Sequence, residues 1–207
     1  MYSLTEEEQA ERVKAWIRNY APSIILGVAL AIACIFAWRF WQQKQETFRV
    51  KASAHYEMLL GSLVGHDDAA VQYHASRLME DYAKTPYAKL AALMLARQAV
   101  NTNKLTIAAE KLQWVIDQAH EPVLREIARI RLARVFLADN KADKALELLR
   151  IVDQPSYAAE IAEVKGDIYV KMGKKADARA AYAQALQGMS DSDAGKALLK
   201  MKYADLA

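Results

Sequence analysis

Few side chains in this sequence have the types and spacings that support chemistry. The four histidines are scattered, at His55, His66, His74 and His120. His66 and His74 are eight residues apart, about 12 Å along a helix, which is too far for them to share a metal ion unless the helix bends. The tripeptide His66-Asp67-Asp68 fits a polar helix start better than a ligand cluster.

Nucleophilic and phosphate-binding motifs are also missing from the sequence. No serine or cysteine has a base at a recognisable spacing, and no glycine-rich phosphate loop is present. We therefore predict no catalytic residues, no metal and no cofactor, and we do not expect an enzyme.

The composition predicts an all-α protein. Alanine is abundant, Leu, Glu, Lys, Gln and Arg recur, and there are only seven glycines and four prolines. Alternating runs of β-branched residues, typical of strands, are absent. The net charge of +3 is small, and both signs are interspersed. This charge does not indicate a nucleic-acid partner.

A pattern of small, aromatic and turn residues recurs three times, at separations of 33 and 37 residues. The copies are Gly166, Tyr169, Gly173, Ala178, Tyr182 and Ala185; Ala133, Phe136, Asn140, Ala145, Leu149 and Val152; and Ala96, Ala99, Asn103, Ala108, Leu112 and Val115. A period in the mid-thirties is typical of an array of helix pairs. The sequence therefore predicts an α-solenoid, with an irregular bundle as the alternative.

Each position of the pattern has a physical role. The small residues let paired helices approach closely, and the larger ones fill the space between layers. Gly173, Asn140 and Asn103 suit a left-handed turn between two helices. Three prolines, Pro86, Pro122 and Pro155, are expected to open successive repeats. The pattern resembles the tetratricopeptide repeat, most clearly over residues 166–186, although Ala162 replaces the usual tryptophan.

Two further elements flank the three repeats. Residues 47–64 and 67–82 are expected to form a helix pair that turns at Gly65-His66-Asp67. A last helix over 190–207, capped by Ser190 or Asp191, is expected to cover the open end of the array. The covering side chains predicted for it are Ala197, Leu198, Met201 and Leu206.

A partner-binding groove is the functional prediction for the repeats. The first helix of each pair in such a superhelix lines a concave surface that can hold a peptide or a partner helix. By position, the predicted lining is Leu93, Arg97, Val100, Ile130, Arg134, Leu137, Glu163, Asp167 and Val170. The alternative is that the apolar residues pack against neighbouring helices and the arginines are merely solvated.

Residues 19–38 form a stretch of twenty uncharged residues, most of them apolar. As a helix this stretch is about 30 Å long, the thickness of the hydrocarbon core of a bilayer. Trp16 and Tyr20 flank one end and Trp38 and Trp41 the other, as in interfacial aromatic belts. We predict an N-terminal tail at 1–18, a transmembrane helix at 19–41 and a repeat domain at 42–207.

Three alternatives to an uncleaved anchor remain. A cleaved signal peptide fits poorly, because the preceding tail is acidic and the apolar run continues past any cleavage site. A lipoprotein would use Ala31-Ile32-Ala33-Cys34, but hydrophobic residues follow that cysteine. A soluble core helix is the third. Basic residues are nearly balanced across the span, so charge does not orient it.

The N-terminal tail has two interpretations. Thr5-Glu6-Glu7-Glu8 has the form of a capping box, and Val13, Trp16, Ile17 and Tyr20 form an apolar stripe. The tail is therefore expected to be a helical lead-in at the membrane interface, or a docking site for a cytosolic partner.

Taken together, the tail, the span and the divergent repeats resemble the YfgM family of bacterial inner-membrane proteins, ancillary subunits of the SecYEG translocon. The most specific matches are Trp38-Arg39-Phe40-Trp41 and Ile130-Arg131-Leu132-Ala133-Arg134. The resemblance implies a cytoplasmic N-terminus and a periplasmic repeat domain. It further implies association with SecYEG and with a PpiD-like periplasmic chaperone.

The resemblance also implies a role: handing newly translocated client polypeptides to periplasmic folding factors, without catalytic residues. A second role suggested by the family is negative regulation of a cytosolic stress-response regulator through the N-terminal tail. The two roles use opposite ends of the chain.

Overall fold

The structure is a computed structural model, which describes residues 6–190 and 192–206. Before residue 26 it describes side chains at a few positions, and from residue 26 onward it describes those of all these residues. Every regular element in this part of the chain is helical, which confirms the all-α prediction. The helices are α1 (Glu6–Val64), α2 (Asp68–Asp81), α3 (Pro86–Asn101), α4 (Leu105–Gln118), α5 (Pro122–Ala138), α6 (Ala142–Leu148), α7 (Ala158–Lys171), α8 (Lys175–Gly188) and α9 (Lys196–Ala204), with a 3₁₀ turn at Pro155–Tyr157.

The chain divides into two compact units, Met1–Lys51 and Ala52–Ala207. The N-terminal unit contains the apolar part of α1, whose side chains are exposed from residue 26 to residue 47. Among the described residues, Leu26–Val64 is the one helical segment long and apolar enough to cross a membrane. This confirms a candidate membrane helix near the N-terminus, while the limits 19–41 stay a prediction.

The second unit is a row of helix pairs with a continuous core. The pairs are the end of α1 with α2, then α3 with α4, α5 with α6, and α7 with α8. Each of four buried clusters is shared by three consecutive helices, so every pair packs against the next. This stacking is the arrangement of a helical repeat array.

Left-handed residues make the turns inside the pairs, as the repeat pattern predicted. The φ angles of Asn103 and Asn140 are 57°, and that of Gly173 is 73°. In each turn the following N–H bonds back to a carbonyl five residues earlier, as in the 2.8 Å bond from Lys141 N to Phe136 O. His66, with a φ of 53°, makes the same turn between α1 and α2.

The starts of α2, α3 and α5 follow the sequence signals. Asp67 caps α2 by accepting the N–H of Ala70 at 3.0 Å, which confirms the polar helix start. Pro86 and Pro122 are the first residues of α3 and α5. Pro155 instead opens the 3₁₀ turn ahead of α7.

Helix α6 is shorter than predicted, and Val152 lies outside it with 47% of its surface exposed. Residues 151–154, where the repeat pattern placed the end of the second helix, are not helical. Gln154, which precedes Pro155, is extended, as expected for a residue before proline.

A buried charged cluster, formed by Glu126, Arg129 and Asp153, holds the segment that follows the short helix α6. Glu126 is fully buried, and its Oε2 accepts the backbone N–H groups of Asp153 and Gln154. The guanidinium of Arg129 donates to Glu126 at 3.2 Å and to Asp153 at 2.9 Å. Hydrogen bonds from Arg125 and Arg129 lower the pKa of Asp153. The cluster thus fastens the segment after α6 to α5.

Helix α9 covers the end of the array, as predicted, but of the four side chains predicted to cover it Leu206 alone packs there. Leu198 and Met201 are 57% and 65% exposed, and Ala197 is exposed as well. Leu199 is fully buried instead, with Tyr203 and Leu206 packed beside it. The predicted helix start was also wrong, since α9 begins at Lys196; Asp191 lies outside the described residues.

The inward face of α9 also carries an ion pair. The Lys202 amine contacts Glu163 and Asp167 of α7, each at 2.9 Å. Residues 199, 203 and 206 lie on the same side of a helix as residue 202, so they turn inward with it. Two apolar stripes are available in the sequence of α9, and the contact with α7 decides between them.

Candidate partner-binding surface

The ends of α5 and α7 enclose a shallow depression. Its volume is about 360 Å³, and its lining is Arg134, Leu137, Ala138, Asp167, Val170 and Lys171. Four of these six residues belong to the predicted groove, at equivalent positions of two successive repeats. The floor is apolar and the rim is charged. Such a surface can hold an apolar side chain while a charged group fixes its orientation.

The predicted groove residues of α3 lie away from this depression. Arg97 and Val100 are on the surface, Val100 with 43% exposure. Leu93 is half-buried and packs against the core shared by α3, α4 and α5. Of these three predicted residues, one cation and one apolar side chain are therefore exposed to solvent.

Ile130 corrects the prediction for α5. Its side chain is only 1% exposed and belongs to the buried cluster of α5, α6 and α7. The reason is that Ala133 and Ile130 share the face of α5 that packs on the next repeat. Ile130 is therefore not available to a partner without unfolding.

The acidic residues predicted for the groove are already paired. The Lys202 amine contacts Asp167 Oδ1 at 2.9 Å and Oδ2 at 3.1 Å, and the Tyr182 hydroxyl donates to Asp167 at 2.7 Å. Glu163 shares the same amine. Burial and then the Asp167 hydrogen bond raise the pKa of Tyr182, so its hydroxyl keeps its proton. Lys202, on α9, was not among the predicted site residues.

The predicted membrane-anchor aromatics are exposed on α1. Trp16, Tyr20, Trp38 and Trp41 each show more than half of their surface to the surroundings. Their rings form two pairs, Trp16 with Tyr20 and Trp38 with Trp41, each with centroids 5.6 Å apart. Rings of this kind suit the headgroup level of a bilayer. Thr5 and the side chains of residues 6–10, 13 and 17, which carry the tail predictions, lie outside the described residues.

Two histidines that are distant in sequence meet in the structure. The Nδ1 atoms of His55 and His74 are 3.2 Å apart, and the ring centroids 5.5 Å. The centroid separation exceeds the nitrogen separation by about the sum of the two centroid-to-Nδ1 distances within the rings. The two nitrogens therefore point at each other, as in an N–H···N hydrogen bond. In the part of the chain that the structure describes, no three or more metal-ligand side chains come together.

We expect the His55–His74 contact to make stability pH-dependent. Burial first, and then the charges of His74 and Arg77, lower the pKa of His55 from its ordinary 6.5, while Asp81 opposes this. The unfolded chain then binds more protons than the folded one, so the free energy of unfolding decreases as the pH falls below 6.5. Urea titrations of the full-length chain in mild detergent at pH 7.5 and 5.5 measure the decrease.

Replacing His55 by an aromatic residue that cannot titrate tests this contact. His55→Phe should show a smaller loss of stability between the two pH values than the wild type. His120→Asn, at an exposed position, should keep the wild-type pH dependence. An unchanged pH dependence in His55→Phe would show that this histidine is not responsible.

The comparisons with known proteins agree on the family. The model of the tetratricopeptide repeat-like domain matches residues 14–207. The ancillary SecYEG translocon subunit of Haemophilus influenzae is 32% identical over 205 residues, covering 99% of each chain. Subunits of the same name from Escherichia coli and Neisseria gonorrhoeae are 30% and 31% identical, covering 95% and 98% of this chain and 92% and 98% of theirs.

A solved structure supports the fold alone. A thermophilic TPR protein of Thermus thermophilus superposes with a TM-score of 0.50 at 21% identity, covering 75% of this chain and 80% of that one. The helix pairs, their left-handed turns and the full-length relatives lead to the same result. This chain belongs to the family of ancillary SecYEG translocon subunits and carries the tetratricopeptide repeat-like domain of that family.

Proposed function

We propose that this chain is a membrane-anchored, non-catalytic subunit that works beside the SecYEG translocon. The observation that carries the proposal is the match over 99% of the chain to an ancillary SecYEG translocon subunit. The exposed apolar segment of α1 supports an anchor. The stacked helix pairs support binding of other proteins. The anchor then keeps the repeat domain beside the channel.

The proposed orientation places residues 1–18 in the cytoplasm and residues 42–207 in the periplasm of a bacterial inner membrane. Residues 19–41 cross the bilayer, with the four exposed aromatics at its two interfaces. The single cysteine of the chain, Cys34, belongs to the apolar segment, so the repeat domain has no thiol to oxidise in an exported compartment.

The proposed partners are SecYEG, a PpiD-like periplasmic chaperone anchored in the same membrane, and newly translocated polypeptides. In this role the repeat domain holds a client or the chaperone while the client passes to folding factors. The depression between α5 and α7 supports a binding role, because its apolar floor is open to a partner.

Crosslinking in intact cells tests this proposal. A photoreactive residue at position 170, where Val170 is 45% exposed in the depression, is compared with one at exposed Lys144 on α6. The chain is then purified from membranes in mild detergent. We expect translocon subunits in both preparations, and crosslinks to a periplasmic chaperone or an exported protein from position 170 only.

Two results would contradict the proposal. Purification without any translocon subunit would contradict the association with SecYEG. Crosslinks from position 170 to cytosolic proteins would contradict the periplasmic orientation. Recovery of a soluble response regulator alone would favour the regulatory role of the family instead.

A further inference from the structure

The charged side chains around the α5–α7 depression differ in whether they are paired within the chain. This difference indicates which class of ligand the depression accepts. The inference rests on the proposed binding role and concerns what the depression accepts. Its floor consists of Leu137, Ala138 and Val170. Four charged groups stand at or beside its rim: Arg134, Asp139, Asp167 and Lys171.

The Asp167 carboxylate is not free to bind a cation from a partner. Its two oxygens accept three hydrogen bonds from this chain, two from the Lys202 amine and one from the Tyr182 hydroxyl. Burial alone would lower the pKa of Lys202, but its bonds to Asp167 and Glu163 outweigh this and raise it. The amine therefore stays charged and offsets one of the two negative charges of Glu163 and Asp167.

Two other rim groups are also paired within the chain. Arg134 contacts Glu160 at 2.9 Å. Asp139, next to the floor residue Ala138, pairs with Lys141. At the turns after the two helices, Phe136 O and Tyr169 O accept the N–H groups of Lys141 and Lys174.

Lys171 is the remaining cation of the rim. It lies on the surface at the end of α7, one residue after Val170. No ion pair or hydrogen bond engages its amine within residues 6–190 and 192–206. An apolar floor beside one unpaired ammonium group is complementary to an apolar side chain with a carboxylate next to it.

We infer that the depression between α5 and α7 binds protein segments in which an apolar side chain lies beside an acidic one, with the carboxylate on Lys171 and the apolar group on Leu137 and Val170. The selectivity arises from pairing within the chain. Without the Lys202 contact, Asp167 would place a free negative charge on the same rim and reject that ligand.

Reversing one charge on the chain and one charge on the peptide ligand tests the inference. The probes are two fluorescein-labelled Gly-Ser peptides, one with a Leu-Glu core and one with a Leu-Lys core, measured by fluorescence anisotropy with the full-length chain in mild detergent. The control for Lys171→Glu is Lys175→Glu, because Lys175 is exposed, does not line the depression, and its replacement changes the net charge equally.

The wild type should prefer the Leu-Glu peptide. Lys171→Glu should weaken its binding by roughly three- to tenfold, since an exposed pair turns into a repulsion, and should strengthen binding of the Leu-Lys peptide. Lys175→Glu should change neither by more than about twofold. Val170→Ser should weaken both peptides alike.

Equal effects of the two lysine substitutions would overturn the inference, because they would indicate only the overall charge. Absence of Leu-Glu binding to the wild type would overturn it as well. In either case, copurification of translocon subunits with the same variants reports separately on the proposed function. If translocon subunits do not copurify with the wild type, the proposed function fails independently of the ligand class.

Discussion

Replacing Glu126 by alanine is expected to destabilise the repeat domain by about 3 kcal/mol. Glu126 is fully buried and accepts two backbone N–H groups, of Asp153 and Gln154, in addition to the Arg129 guanidinium. The substitution leaves both N–H groups without an acceptor. It also leaves a buried cation with Asp153 as its remaining carboxylate, at 2.9 Å.

The measurement is thermal unfolding of the full-length chain in mild detergent, followed by circular dichroism. For a unit of this size, the expected loss lowers the Tm by about 6–12 °C. Hydrogen exchange should accelerate first in residues 149–157, because the Glu126 cluster fastens that segment to α5.

Glu147→Ala is the matched control for this substitution. Glu147 also pairs with an arginine three residues away, Arg150, but their side chains are 69% and 75% exposed. We therefore expect a change within about 0.5 kcal/mol. If Glu126→Ala were as stable as Glu147→Ala, the buried cluster would not be what holds the end of α6.

Replacing Gly166 by alanine is expected to destabilise the last repeat by about 1–3 kcal/mol, although alanine is the better helix former. A Cβ at position 166 would lie 2.2 Å from Cε1 and 2.3 Å from Cδ1 of Tyr182. That ring is 2% exposed and its hydroxyl donates to Asp167, so it has little room to move. Chemical denaturation of the full-length chain measures the loss.

The other repeats suggest a compensating substitution. In the second repeat the equivalent residues are Ala133 and Leu149, and both are fully buried. We therefore expect the double substitution of Gly166→Ala with Tyr182→Leu to reduce the free energy of unfolding by less than the sum of the two single reductions. The difference should be at least about 1 kcal/mol. Simple additivity would show that the two positions do not share one space.

Gly61→Ala is the control for helix propensity. Gly61 lies in α1 with no atom within 4 Å of an added Cβ. The same substitution there should be neutral or stabilising by up to about 1 kcal/mol. A loss of stability at Gly61 comparable to that at Gly166 would show that contact with Tyr182 is not the cause.

Local signals in the sequence predicted most of the repeat architecture correctly. Asn103, Asn140 and Gly173 adopt the left-handed conformation in which a Gly or Asn costs little. Pro86 and Pro122 begin helices because their missing N–H is not needed there. Such signals depend on one residue and its immediate neighbours, so they do not require knowledge of the fold.

Elements whose geometry depends on distant residues were predicted less well. Helix α6 ends early because its continuation bonds to Glu126, 27 residues before Asp153. Helix α9 turns Leu199 inward onto Ala162 of α7 and Tyr182 of α8, residues that are distant in the sequence, and Lys202 bonds to Asp167, 35 residues away. The meeting of His55 and His74, 19 residues apart, follows from the packing of α1 on α2 in the same way.

The sequence by itself determined the apolar helix, the repeat period, the turns and the family, because each depends on composition or on spacing along the chain. It also placed Arg134, Leu137, Asp167 and Val170 on corresponding positions of successive repeats. Only the tertiary structure decided which of their charges remain available, since pairing depends on side chains that folding brings together. The acidic residue that looked open to a partner is occupied by Lys202, and the available charge is Lys171.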